Sequence, residues 1–203
     1  MKLMIAIPCT EYMHYRFAEC LAALCKHLQE NPSIEYGIEI KGATLVSLGR
    51  EQLVNRALGK GYTHVLWLDC DMIFDEYLVD NLLEAMREHN CELAAGIFRS
   101  RHGECRPTLF EKLCPDERIT EFPDEPFEIE GCGMACVLMT TNLLQKILDS
   151  EGTTFMPTVE YSEDLAFCYR CKEHEVKMIG VPKAKVGHIT QGIIWPDKSH
   201  EFI

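Results

Sequence analysis

The residues best suited to chemistry are two carboxylates one position apart. In the stretch HVLWLDCDMIF the apolar run 65–68 ends in Asp69 and Asp71, with Cys70 between them. Side chains alternate along a strand, so Asp69 and Asp71 would project to one side at the strand's end and Cys70 to the other. Two like charges held together raise a pKa or demand a cation, and hard carboxylate oxygens suit Mg²⁺ or Mn²⁺. An acidic turn opening from a buried strand into solvent would carry the same residues. The pair alone does not separate the two readings.

Other groups along the chain carry similar double readings. In YSEDLAFCYRC, Ser162 is a natural helix cap and Glu163 and Asp164 complement the positive helix end. Facing the first pair, one of those acids could take a proton from an acceptor hydroxyl. His188, in VPKAKVGHI, is either a metal ligand or an exposed histidine after a strand. FRSRHGECRP gathers Arg99, Arg101, His102 and Arg106, which make a solvated loop or a phosphate clamp. Cys168, Cys171 and His174 are spaced by three along one helical pattern. That is not the two-knuckle spacing of a structural zinc site, so they read as a helix face. In EGCGMAC, Gly131 and Gly133 admit a ligand or another backbone, or mark a bulge, and Cys132 and Cys136 read as small core residues.

The elements that must position these groups follow from hydrophobic period. KLMIAIP, IEYGIEI, THVLWLD, CELAAGIFR and EIEGCGMACVLMT read as strands. HYRFAECLAALCKHLQE, GREQLVNRALGK, the run 75–89 and the short run 142–148 read as helices. Such alternation predicts an α/β fold, a Rossmann-like domain with a mainly parallel central sheet whose ligands sit beyond the carboxyl ends of the strands. Asp69 and Asp71 stand at such an end. The Pro- and acid-rich run 114–127 predicts a loop or edge excursion, and the stretch after 177 predicts one or two short strands and an irregular tail. Without an internal repeat or an evident linker, the expectation is one domain over residues 1–203.

Composition narrows the functional classes. With 47% hydrophobic and 26% charged residues in 203, the chain is expected to bury a proper core. A formal net charge of −12 argues against a broad nucleic-acid footprint. No phosphate-binding GxxxxGK[ST] occurs, and no GxGxxG follows the first strand. Eleven cysteines without a secretory leader read as reduced thiols, and no apolar run is long enough to span a membrane. The expected location is the cytoplasm.

Taken in order, GREQLVNRALGKGYTHVLWLDCDMIF, the acid pair Glu163 and Asp164 before a late helix, and His188 near the C-terminus resemble the GT-A glycosyltransferases, especially compact family 2-like members. The resemblance runs from the first strand to His188 and is most specific at the D-x-D. It implies a nucleotide-sugar-dependent hexosyltransferase or related enzyme using Mn²⁺ or Mg²⁺, with a UDP-linked donor. By that likeness Pro8, Thr10 and Glu11 cradle the nucleotide, and Arg50 and Asn55 approach base, ribose or phosphate. Asp71 is the direct metal ligand, Asp69 holds ribose or a metal-bound water, and His188 completes the set. Gly131 to Met134 lie under the donor sugar, Asp164 is the base with Glu163 beside it, and Lys185 or an arginine of the 99–106 group assists the leaving diphosphate. No acid follows the second strand, where many members read uracil, so the base is not specified by sequence. The acceptor is equally open: a saccharide, a protein, a small molecule or a modified DNA base.

Two other classes compete. Haloacid-dehalogenase-like phosphatases also place D-x-D after an apolar strand, with Asp69 as nucleophile and Asp71 as acid/base. They would put the later acids directly after a hydrophobic strand, whereas Glu163 and Asp164 open a helix. A catalytically inactive nucleotide-sugar-binding relative is the non-enzyme alternative.

Overall fold

The computed structural model describes residues 1–9, 12–42, 45–101, 104–190, 192–197 and 200–202. The chain begins β1 (Lys2–Pro8), α1 (Tyr15–Gln29), β2 (Glu35–Lys41), α2 (Val46–Gly59) and β3 (His64–Leu68). It continues through β4 (Met72–Ile73), α3 (Leu78–His89), β5 (Leu93–Ile97), β6 (Leu109–Lys112), β7 (Glu117–Arg118), β8 (Phe127–Ile129), β9 (Gly131–Cys132) and β10 (Cys136–Thr140). It closes with α4 (Thr141–Glu151), α5 (Glu163–Glu173), β11 (Met178–Lys185), β12 (Gly187–Ile189), β13 (Gly192–Ile194) and β14 (His200–Phe202).

The main sheet has the order β2-β1-β3-β10-β5-β11-β8. β2, β1, β3, β5 and β11 run one way, and β10 and β8 run against them, so the sheet is mainly parallel as expected. Strand alternation divides the core in two. Leu3, Ile5 and Ile7 of β1 and Leu66 and Leu68 of β3 pack with Phe17 and Leu24 of α1 and Leu82 of α3. Met4, Ala6, Val65 and Trp67 turn to the opposite face and meet Leu53 of α2, Leu143 of α4 and Phe167 of α5. Each of the larger aliphatic and aromatic side chains among them contributes about 1.5–3 kcal/mol by leaving water. Apolar burial on both faces is why β1 and β3 read as unbroken hydrophobic runs.

A second sheet, β14-β13-β12-β4, stands at the carboxyl ends of the main strands, and β7-β6-β9 form a third. The predicted irregular tail is thus more regular than expected, with β12, β13 and β14 all paired. The single strand expected over 128–140 is three. β9 pairs with β6 while β10 pairs with β3 and β5, so the run changes sheets between Cys132 and Cys136. Helix α2 starts three residues before its expected position, because Leu45 at its N-cap supplies no side-chain hydrogen bond and leaves no capping signal to read. Among the described residues, no helix is long and apolar enough to cross a membrane.

The segment between α4 and α5 is clamped from both sides. Glu51 Oε1 accepts from Thr153 Oγ1 and from the N–H groups of Thr154 and Phe155 at 2.5–2.7 Å. Arg170 donates to the Thr154 and Met156 carbonyls at 3.0 and 2.9 Å. Glu51→Ala strands two backbone donors and is expected to cost about 2–3 kcal/mol in urea denaturation, with Glu51→Gln costing less because an amide oxygen still accepts.

Candidate active site

Asp69 follows β3 directly, and its N–H donates to the Ala135 carbonyl at 3.1 Å. Its Oδ1 accepts from Arg50 Nη2 at 3.0 Å. Arg50, only 2% exposed, lies on α2 beneath the sheet, its guanidinium 5.5 Å from the Trp67 ring and 5.9 Å from Phe155, and Nη1 reaches the Met134 carbonyl at 3.4 Å. Burial pushes the Asp69 carboxyl above its ordinary value, opposed chiefly by the Arg50 charge. A buried cation and a half-buried anion therefore stabilise one another in a place where either alone would be costly.

Asp71 stands one strand period further out. Its Oδ2 pairs with Arg101 Nη1 and lies 3.5 Å from His188 Nε2. Burial acts to raise this carboxyl too, but the hydrogen bond and charge of His188, with the charge of Arg101, outweigh it and hold Asp71 below the usual range. Cys70 points away, as alternation requires. Its thiol contacts the Tyr12 carbonyl at 3.6 Å and is pushed up to about 12 by burial and the neighbouring Cys9.

His188 reaches Asp71 because β12 pairs antiparallel with β4, placing His188 opposite Met72, and the Ile189 N–H donates to the Asp71 carbonyl at 2.9 Å. His188 Nδ1 lies 2.9 Å from the Arg99 carbonyl, and the Phe98 ring meets the imidazole edge-on at 6.0 Å. A carbonyl only accepts, so Nδ1 carries the hydrogen and Nε2 faces the carboxylate. A carboxylate oxygen and an imidazole nitrogen so aimed need a proton or a metal ion between them, and a backbone bond to the far nitrogen is how ligating histidines are held. The donor set therefore fits a divalent ion. Among the described residues no group of three or more His, Cys, Asp or Glu side chains could hold a metal ion, and Asp71 and His188 are the pair that could supply two ligands to one.

Helix α5 supplies the acids. Ser162 Oγ donates to Asp164 Oδ1 at 2.5 Å, and the Leu165 N–H donates to the same oxygen at 2.9 Å. The serine thus orients Asp164 and makes no side-chain cap of its own. Asp164 Oδ2 turns toward Gly133, 3.7 Å from where a Cβ would stand, and Phe98 Cζ would be 3.1 Å from that Cβ. Glu163 is pushed above its ordinary value by burial and then by the charge of Asp164. Both acids, with Arg50, Gly133, Phe98 and Thr108, line a cavity of about 430 Å³ that Asp69, Asp71 and His188 also border.

Across the D-x-D lies a second cavity of about 610 Å³, bordered by Pro8, Tyr12, Met13, His14, Tyr15 and Cys70. The two share Val46, Asp69, Asp71 and Arg101, so the acid pair forms the ridge between them. Tyr12 and Tyr15 are 84% and 64% exposed, and Tyr15 stacks with His14 at 4.8 Å. His14 also accepts from the Arg16 N–H at the start of α1 and donates its own N–H to the Cys70 carbonyl. The aromatic cluster YMHY is readable between the first strand and helix, but nothing in its spacing marks it as a binding element.

The fold thus brings Pro8, Arg50, Asp69, Asp71, Gly133, Glu163, Asp164 and His188 to two adjoining cavities that share the acid pair. It does not bring three others there. Gly131 is filled by packing, since a Cβ would stand 2.6 Å from Leu113 Cδ2. Asn55 is exposed on α2 and borders neither cavity. Lys185 lines a separate cavity of about 650 Å³ with Arg99, Phe122 and Pro182. Thr10, Glu11 and His102 lie outside the described residues. Cys168 and Cys171 are buried, and His174 follows the helix end and contacts Glu151 at 3.1 Å, as a helix face would have it.

No family model matches the sequence, and no curated protein matches it. Solved structures do match. The chain aligns over 100% of its length, and 94% of the other, with a protein designated "A197 from STIV", at a TM-score of 0.72 and 22% identity. Over 94% of its length it aligns with GalNAc-T7, solved with UDP, GalNAc and Mn²⁺, at a TM-score of 0.63 and 11% identity. Over 100% of its length it aligns with residues 1-349 of S. aureus TarS, solved with UDP-GlcNAc, at a TM-score of 0.57 and 12% identity. The chain shares their fold. It spans 44% of the GalNAc-T7 chain and 58% of the TarS chain. The α/β architecture expected from sequence, GT-A-like in its sheet and helices, is therefore the one adopted.

The Arg50–Asp69 pair predicts a stability signature. Arg50→Met leaves a half-buried carboxylate without its cation and is expected to lower stability by about 1–3 kcal/mol in urea denaturation. Arg50→Met/Asp69→Asn, which removes both charges, is expected to recover part of that loss.

Proposed function

We propose that this protein is a metal-dependent glycosyltransferase, folded as one domain over residues 1–203, that moves a sugar from a UDP-linked donor to a hydroxyl acceptor. One observation carries this reading: Asp71 and His188 converge on the ridge where an aromatic-rimmed cavity meets a cavity lined by Asp164. The fold neighbours solved with UDP, UDP-GlcNAc and Mn²⁺ support it.

In this reading the nucleotide occupies the cavity of Pro8, Tyr12, His14 and Tyr15, where exposed rings offer a stacking face to the base. The sugar lies across the ridge beside Gly133, in the cavity that Asp164 lines. Asp71 and His188 hold Mn²⁺ or Mg²⁺, and the bound ion supplies Lewis acidity to the departing diphosphate. In this reading Arg101, which pairs with Asp71 in this structure, binds diphosphate oxygens of the donor. Asp69, pinned by Arg50, orients the donor. That engagement also suits it poorly to the role of a phosphatase nucleophile. Asp164, aimed by Ser162 and Leu165, takes the acceptor proton, while Glu163, pushed up by burial, holds its own proton more readily beside it.

Release of UDP from a panel of UDP-sugars with Mn²⁺ and candidate hydroxyl acceptors tests the reading. Asp164→Asn is expected to lower kcat by about 10²–10⁴-fold while leaving the Kd for UDP with Mn²⁺ unchanged. Turnover by Asp164→Asn at the parent rate would remove the base assignment, and no release from any donor by the parent protein would remove the transferase reading.

A further inference from the structure

The two edges of the main sheet differ. β8 is three residues long, whereas β2 is seven, without proline or bulge, and in unbroken register with β1 from Glu35 opposite Lys2 to Lys41 opposite Pro8. Regular unprotected edges of that length invite further pairing. The Glu35 N–H donates inward to the Met1 carbonyl at 2.9 Å, and the Lys41 carbonyl accepts inward from the Cys9 N–H at 3.0 Å. Backbone groups alternate sides along a strand, so the odd-numbered residues bond β1 and Tyr36, Ile38 and Ile40 turn theirs outward.

The same three side chains share one face of the sheet, the face that α1 covers at Tyr36. There the Tyr36 hydroxyl donates to the Cys25 carbonyl at 3.1 Å. Further along the strand, Ile38 is 41% and Ile40 50% exposed.

We propose that β2 is a docking edge for a second copy of this chain, the two strands pairing antiparallel about a two-fold axis through Ile38. The segment EYGIEIK is self-complementary in that register. Ile38 opposes its own copy, Tyr36 opposes Ile40, and Glu35 opposes Lys41 of the second copy. Each outward-turned residue then sits in a hydrogen-bonded pair that exchanges both of its bonds, and the apolar pairs cover one another. Glu39 opposes Gly37 and stays with Arg56 and Lys60 on its own subunit, so no like charges stand directly opposite one another. The interface is isologous, and it joins the two seven-stranded sheets into one continuous sheet.

Sedimentation equilibrium of the full chain from about 1 to about 300 μM tests this, since a narrow strand interface binds in the micromolar range. The parent protein is expected to dimerise. Ile38→Pro is expected to be a folded monomer, because the N–H it removes points away from β1. Lys41→Glu is expected to weaken the dimer several-fold, and Glu35→Lys/Lys41→Glu to restore it. A parent protein monomeric throughout, a dimer that survives Ile38→Pro in folded form, or a charge reversal that the double variant does not rescue would each overturn the proposal.

Discussion

The pairing of β4 with β12 is the contact on which the candidate site depends. β4 is two residues long and comes immediately after Asp71, and β12 brings His188 back from the far end of the chain to lie beside it. Two residues of ladder would be a weak link on their own. They are reinforced because Ile189 bonds the Asp71 carbonyl and because the Arg99 carbonyl, at the end of another strand, fixes the far side of the His188 ring. Three separate segments thus converge on one carboxylate.

Charge balance explains much of what surrounds that contact. The chain carries a net charge of −12, and its cleft concentrates four carboxylates, Asp69, Asp71, Glu163 and Asp164. Arg50 from beneath and Arg101 from above neutralise the first two, and burial with mutual repulsion pushes Glu163 toward its protonated form. The buried aromatic pair Trp67 and Phe155 gives Arg50 a polarisable wall in place of water. Since Phe155 belongs to the segment clamped by Glu51 and Arg170, the same clamp that leads into α5 also helps seat the cation under Asp69.

Sequence periodicity revealed the strand–helix alternation, the buried run ending at Asp69 and the helix that opens with Glu163 and Asp164, because each follows from local burial. The reversal of β10 was hidden: a strand buried on both faces looks alike whether it runs parallel or antiparallel to its neighbours. Two site assignments show how position along an element decides function. Asn55 lies five residues after Arg50 on α2, about 140° around the helix, and so faces solvent when Arg50 faces the core. Lys185 precedes His188 by three residues, but the chain leaves the main sheet between β11 and β12, and the two side chains border different cavities. The pairing of Asp71 with His188 was legible only through family resemblance, since nothing local in either segment specifies the other.

In the proposed reaction Asp71 and His188 form the protein's half of a divalent-metal site whose other ligands arrive with the nucleotide. Electron spin-echo spectroscopy of Mn²⁺ bound to the protein with UDP tests it most directly. Both ³¹P couplings from the diphosphate and a ¹⁴N coupling that disappears in His188→Ala while ³¹P remains are expected. Mn²⁺ bound with UDP but with no ¹⁴N coupling, or with a ¹⁴N coupling unaltered in His188→Ala, would contradict it.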